Sequence, residues 1–121
     1  MSETTLFSSD GTPVAYVAHD DEATIYSWSG IPVAYLHQDH VYGFNGRHLG
    51  WFQDGIVWDH GGKKSGFVKE TLPVYAQYEP YKAYKQYKPY RSYQQFAPYQ
   101  PYKSVALADM PLSALLGTGR S

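Results

Sequence analysis

Residues 41–52 read Val41-Tyr42-Gly43-Phe44-Asn45-Gly46-Arg47-His48-Leu49-Gly50-Trp51-Phe52. The run opens aliphatic then aromatic, reaches Asn45-Gly46, and resumes with a small residue, an aromatic and an apolar one, Gly50-Trp51-Phe52. Asn-Gly between apolar-rich runs is the strongest short hairpin signal, because a tight turn needs positive φ and Gly, Asn and Asp tolerate it. The stretch predicts strand, two-residue turn, strand.

Read outward from there, the same block recurs. Leu6-Phe7-Ser8-Ser9-Asp10-Gly11, Ile25-Tyr26-Ser27-Trp28-Ser29-Gly30 and Val57-Trp58-Asp59-His60-Gly61-Gly62 each begin aliphatic-aromatic and end in glycine. The triplets Ala15-Tyr16-Val17, Ala34-Tyr35-Leu36 and Gly66-Phe67-Val68 follow in the register of Gly50-Trp51-Phe52. Four blocks in phase are an internal repeat. Polar links at 19–22, 38–40, 53–55 and 69–71 join the units, which gives eight strands in an up-and-down order. Period-two alternation puts Tyr16 on one face and Ala15 and Val17 on the other. The once-per-unit small residues Ala15, Ala34, Gly50 and Gly66 predict backbones crowding at a pseudo-four-fold axis.

The pattern of residues about 5–72 resembles the bacterial four-fold beta-flower domain, on the four aliphatic-aromatic-x-x-x-Gly blocks and the small-aromatic-apolar triplets. That resemblance implies an all-β, internally symmetric fold of uncharacterised function and carries no catalytic residues. Aromatic hairpin repeats of cell-wall-binding solenoids are a rival likeness, through Gly50-Trp51 and Tyr42 to Gly46. Those units are longer and richer in Trp.

Beyond Leu72 the composition changes. Tyr75, Tyr78, Tyr81, Tyr84, Tyr87, Tyr90, Tyr93, Phe96, Tyr99 and Tyr102 are spaced by three, and a nine-residue period lies over them in Tyr78-Glu79-Pro80-Tyr81, Tyr87-Lys88-Pro89-Tyr90 and Phe96-Ala97-Pro98-Tyr99. A period of three suits polyproline II, which has three residues per turn, and the prolines disfavour an α-helix. The aromatics then form one stripe, and the lysines one residue after them share a second face. Three readings compete for residues 73–104: a disordered low-complexity segment, a stripe packed onto the hairpin domain of its own chain or a neighbour's, or a nucleic-acid-binding arm with cations for phosphates and rings for base stacking. Residues 105–117 read as a short apolar segment, helical, with Asp109 as N-cap, Pro111 in the first turn and Gly117 as the stop.

Charge divides along the same boundary. Residues 1–72 hold four Lys/Arg against nine acids, and residues 73–121 hold six against two, so a −5 head precedes a +4 tail. The two halves are expected to attract each other, or the tail an acidic partner. Cysteine is absent, which excludes disulfides and thiolate metal sites. Met1 to Phe7 lacks the basic and apolar regions of a secretory signal, and no apolar run approaches the ~20 residues of a membrane span. The expectation is a cytoplasmic protein without membrane contact.

No catalytic constellation emerges. His37 and His40 are three apart around Asp39, but strand or turn spacing does not aim both rings at one ion; His19, His48 and His60 read as loop histidines, and no metal is expected. Asp10, Asp20, Asp21, Asp39, Asp54 and Asp59 sit at turns, where Asp satisfies local backbone donors. No Gly-x-Ser-x-Gly elbow and no phosphate loop is present. The reading is a non-enzymatic structural or protein-interaction module without cofactor, with homo-oligomerisation expected from its strand edges. The alternative is a ligand-binding module for glycan, with Tyr16, Tyr35, Trp51 and Phe67 as stacking platforms if their face is open, or for nucleic acid through the tail.

Overall fold

The computed structural model describes residues 3–18, 23–72, 74–88, 93–94, 96, 100–104, 106–108 and 112–117. Eight strands appear in the order read from the sequence: β1 Thr4–Phe7, β2 Pro13–Val17, β3 Thr24–Ser27, β4 Pro32–His37, β5 His40–Gly43, β6 His48–Gln53, β7 Ile56–Trp58 and β8 Lys64–Phe67. They form a closed antiparallel barrel in sequential order, β8 returning to β1. A 3₁₀ turn at Lys69–Thr71 and a helix, α1, at Leu112–Gly117 complete the regular structure. No helix among the described residues is long and apolar enough to cross a membrane.

The repeat is kept in atomic register. Leu6 pairs with Ala15, Ile25 with Ala34, Val41 with Gly50 and Val57 with Gly66, one aliphatic–small pair per hairpin, and each first strand shifts register just beyond it. Between hairpins the pairs are aromatic: Tyr16 with Tyr26, Tyr35 with Tyr42, Trp51 with Trp58, and Phe67 with Phe7. Pleating therefore sorts the wall into an aliphatic interior and an aromatic exterior.

The small positions are crowded from two sides, by the next hairpin at Gly50 and by the helix at Gly66. Leu112, Leu115 and Leu116 of α1 lie in one buried cluster with Leu6, Ala15, Val17, Ile25, Ala34, Val41 and Val57. A Cβ on Gly66 would press on the Leu112 side chain, and one on Gly50 would overlap the carbonyl of Trp58. The helix fills the space that the small residues leave, so the barrel carries its own plug. The expected Asp109 cap and Pro111 lie outside the described residues, and Gly117 is the last residue of the helix.

The turns also correct the sequence reading. Ser8 N–H donates to Thr12 C=O (2.9 Å) and Gly11 N–H to Ser8 C=O (3.0 Å), and the same pair of bonds recurs at Ser27/Ile31, Gly43/Arg47 and Asp59/Lys63. Gly11, Gly30, Gly46 and Gly62 have φ between 77° and 89°, while Asp10, Ser29 and Asn45 do not have positive φ. These are three-residue loops, a type I turn closed by a left-handed glycine, and not two-residue turns. The loop length is set by the outer bond one residue beyond the glycine. Two-residue turns occur at the links instead: Asp54-Gly55, both with positive φ, between Gln53 and Ile56, and Gln38-Asp39 between His37 and His40.

Candidate functional site

The outer wall is the part of the molecule whose chemistry varies, and it is built station by station. Tyr16 stacks on Tyr26 (centroids 5.8 Å) and against Trp28 (5.2 Å), whose indole N–H donates to Pro13 C=O. Tyr35 stacks on Tyr42 (6.0 Å) and touches Phe44 (5.4 Å). These separations are those of favourable aromatic pairs. Tyr16, Tyr35, Trp51 and Phe67 occupy equivalent places, as their spacing predicted, yet their exposures are 0, 0, 2 and 2%. As they stand, these rings do not form an open stacking surface.

Part of what covers them is the tail, which adds neither helix nor strand over 74–88 and binds the rim of turn glycines. The Gln77 amide donates to Gly11 C=O (2.9 Å), Gln86 to Gly30 C=O (2.9 Å) and Ser104 to Gly62 C=O (2.8 Å). Two residues before each donor, the carbonyl of Tyr75, Tyr84 or Tyr102 lies where that glycine's Cβ would be. Each glycine thus serves twice: its φ closes the turn, and its bare Cα admits the belt. Tyr84 follows Tyr75 by nine residues and Tyr102 follows Tyr84 by twice nine, with Tyr93 midway. The nine-residue period is the pitch at which the tail meets successive hairpins. This function of the glycines was missed, although four turns and a nine-residue repeat were both visible.

Side chains at the same pitch reach the wall. Lys85 Nζ lies 5.8 Å from the Tyr16 ring centre and 5.6 Å from that of Tyr26, Gln94 donates to the Tyr35 hydroxyl (3.1 Å), and Lys103 Nζ sits 5.4 Å from the Trp58 ring. Lys82 Nζ is 4.8 Å from Tyr16. Lys82 and Lys85 both bond Glu3 (2.9 and 2.8 Å), and Lys103 bonds Asp54 (3.0 Å). Burial alone would raise the Glu3 pKa, but bonds and charge from the two lysines outweigh it and hold the carboxyl below its ordinary range. The same pairing raises Lys85. The charge split is therefore partly met within the chain, where three of the six tail cations pair with two carboxylates of the head. Burial raises the Tyr16 phenol, whose hydroxyl is buried and has no hydrogen-bond partner among the described residues.

The aromatic stripe itself faces the other way. Tyr75, Tyr78, Tyr81, Tyr84, Tyr87, Tyr93, Phe96 and Tyr102 are 92–101% exposed. Of the three readings of the tail, packing of the stripe on the hairpin domain of its own chain is not what is found: the stripe is turned to solvent, and the tail docks through backbone, Lys and Gln. Backbone docking wins because the rim glycines offer free carbonyls while the wall aromatics already pair with each other.

A second cluster was not read from the sequence. His40 Nδ1 contacts His48 Nε2 (3.0 Å), and His48 Nδ1 contacts His60 Nε2 (2.9 Å). His48 is buried against Trp51 and Tyr42, and burial, then the charges of His60 and His40, lower its pKa to about 4. The ring nitrogens point at each other, and among the described residues no group of three or more His, Asp or Glu is arranged to hold a metal. His37 does not join the cluster; His19 lies outside the described residues.

Residues 4–116 match the family model described as 4-fold beta flower protein, and the chain belongs to that family. The match runs through the belt and helix as well as the hairpins. No curated protein and no solved structure matches the chain.

Proposed function

We propose that this beta-flower protein is a non-enzymatic structural and interaction module, in which a belted barrel holds a stripe of tyrosines outward for contact with another macromolecule. The observation that carries the reading is the inversion of the aromatics: the wall platforms are 0–2% exposed, whereas the stripe is 92–101% exposed. Monomeric proteins rarely expose contiguous apolar patches above a few hundred Å², and larger ones mark interaction sites. The pairing of Lys82, Lys85 and Lys103 with Glu3 and Asp54 favours a protein contact over nucleic acid, because those cations are already engaged by carboxylates of the head.

Tyrosine labelling of the native full chain, mapped by mass spectrometry, tests it. Tyr78, Tyr81 and Tyr87 are expected to react at the rate of free tyrosine, with Tyr16 and Tyr35 protected. Equal reactivity of the two sets, or protection of the stripe at a dilution where the chain is a single copy, would defeat the reading.

A further inference from the structure

We infer that the partner of the stripe is a second copy of this chain. The inference rests on the reading of the stripe as an outward-facing interaction surface, and three observations choose the occupant. The first is area: a buried aromatic side chain contributes about 150–250 Å², so four neighbouring tyrosines supply roughly 800 Å², the share of each partner in a standard interface. The second is period. Three residues of extended chain span up to about 9 Å, a gap that admits one further ring at the ~4.5–7 Å separation of aromatic pairs. Two stripes of equal period interdigitate without mismatch, and only another copy is certain to bring that period. The third is charge: the chain carries a net −1, and three of its six tail cations are paired internally, so little repulsion opposes association of like copies.

The geometry also fixes the kind of assembly. The belt meets hairpins in the order Gly11, Gly30, Gly62, and Gln94 and Gln100 bond Tyr35 and Gln53 between them, so its tyrosines are distributed around the barrel. One molecule then offers contacts to more than one neighbour, and such contacts grow with concentration beyond a closed pair.

The test is sedimentation velocity on the full chain from micromolar to millimolar concentration, beside a variant carrying Tyr78→Ser, Tyr81→Ser, Tyr84→Ser and Tyr87→Ser. Tyr84 docks through its carbonyl, so near-ultraviolet circular dichroism of the variant should match the parent. The same positions changed to Phe form the companion variant. Expected are association of the parent and the Phe variant, and at least about a tenfold weaker association of the Ser variant, with the parent insensitive to added salt. A parent that stays a single copy, including one that instead binds a neutral glycan, overturns the inference, as does equal association of parent and Ser variant. Tyrosine labelling of the same samples separates the two levels. A reactive stripe without association removes only the second copy, and a protected stripe in single copies removes the reading beneath it.

Discussion

Mild acid should loosen this protein through His48. The ring is buried, flanked by His40 and His60 at 3.0 and 2.9 Å, and its pKa falls from 6.5 to about 4. A folded-state pKa below the unfolded value means that the unfolded chain takes the proton first. The stabilisation is therefore complete above pH 6.5 and disappears as pH falls toward 4. At about 1.4 kcal/mol per tenfold change in proton affinity the full effect is about 3 kcal/mol, of which about 2 kcal/mol is lost between pH 7 and pH 5. Glu3 and Asp10, held below 4.5 and 3.8, stay ionised across that window. Urea melts at pH 7, 6 and 5 read the loss as a midpoint shift of about 1 M, with an m value near 1–3 kcal/mol per M. His48→Gln cannot charge, and its stability should change little over the same range. Parallel losses in parent and variant would refute proton uptake by His48 as the cause.

Further outcomes follow from the belt, the plug and the wall. Gly30→Ala places a side chain at φ 88° and onto the Tyr84 carbonyl; the expected cost exceeds about 1 kcal/mol, and hydrogen exchange at the Ala83 and Gln86 amides should rise more than at β3. Leu112→Ala removes a side chain with 0% exposure from the core and should cost about 2–5 kcal/mol in urea melts. Adding Gly66→Ala to it should recover part of that loss, because the new methyl enters the vacated space. Tyr16→Phe, which deletes a buried hydroxyl without a partner among the described residues, should be neutral or stabilising, whereas Tyr35→Phe loses the Gln94 bond and should cost about 1 kcal/mol by the same melts.

The barrel was legible because its signals are local and repeated. Leu6-Phe7 and Ala15-Tyr16 lie within a dozen residues, and three more copies fix their register. Loop length was misread because Asn45-Gly46 is compatible with two turn types, and the choice is made by the bond between Gly43 and Arg47 outside the dipeptide. The stripe's direction was not legible for a similar reason. A three-residue period places the tyrosines on one face but does not say which face meets the barrel; that is decided by contacts such as Tyr84 on Gly30, far apart in sequence. The charge split did carry tertiary information, and Lys82, Lys85 and Lys103 realise it on Glu3 and Asp54. The histidine cluster joins three strands' worth of separation through one-residue contacts, which no spacing rule encodes.

The belt answers a weakness in the closure of the barrel. Seven neighbouring strand pairs share three or four partners each, while β8 and β1 share one, Phe67 with Phe7. A ring with one weak seam opens there. The chain leaves β8 at Phe67, and ten residues later the Gln77 amide binds Gly11 in the first hairpin, across that seam. It then follows the rim past Gly30 and returns to the fourth hairpin, where Ser104 binds Gly62 and the Ala106 carbonyl and Ala108 amide flank Lys64. Having completed a turn around the outside, it delivers Leu112, Leu115 and Leu116 to the inside. The hoop spans the seam from outside while the plug packs the interior against β2, β4 and β8, and this explains why the belt commits its backbone and cations to the barrel. The described tyrosines of the belt enter that closure only through their backbone, and their side chains are turned to solvent.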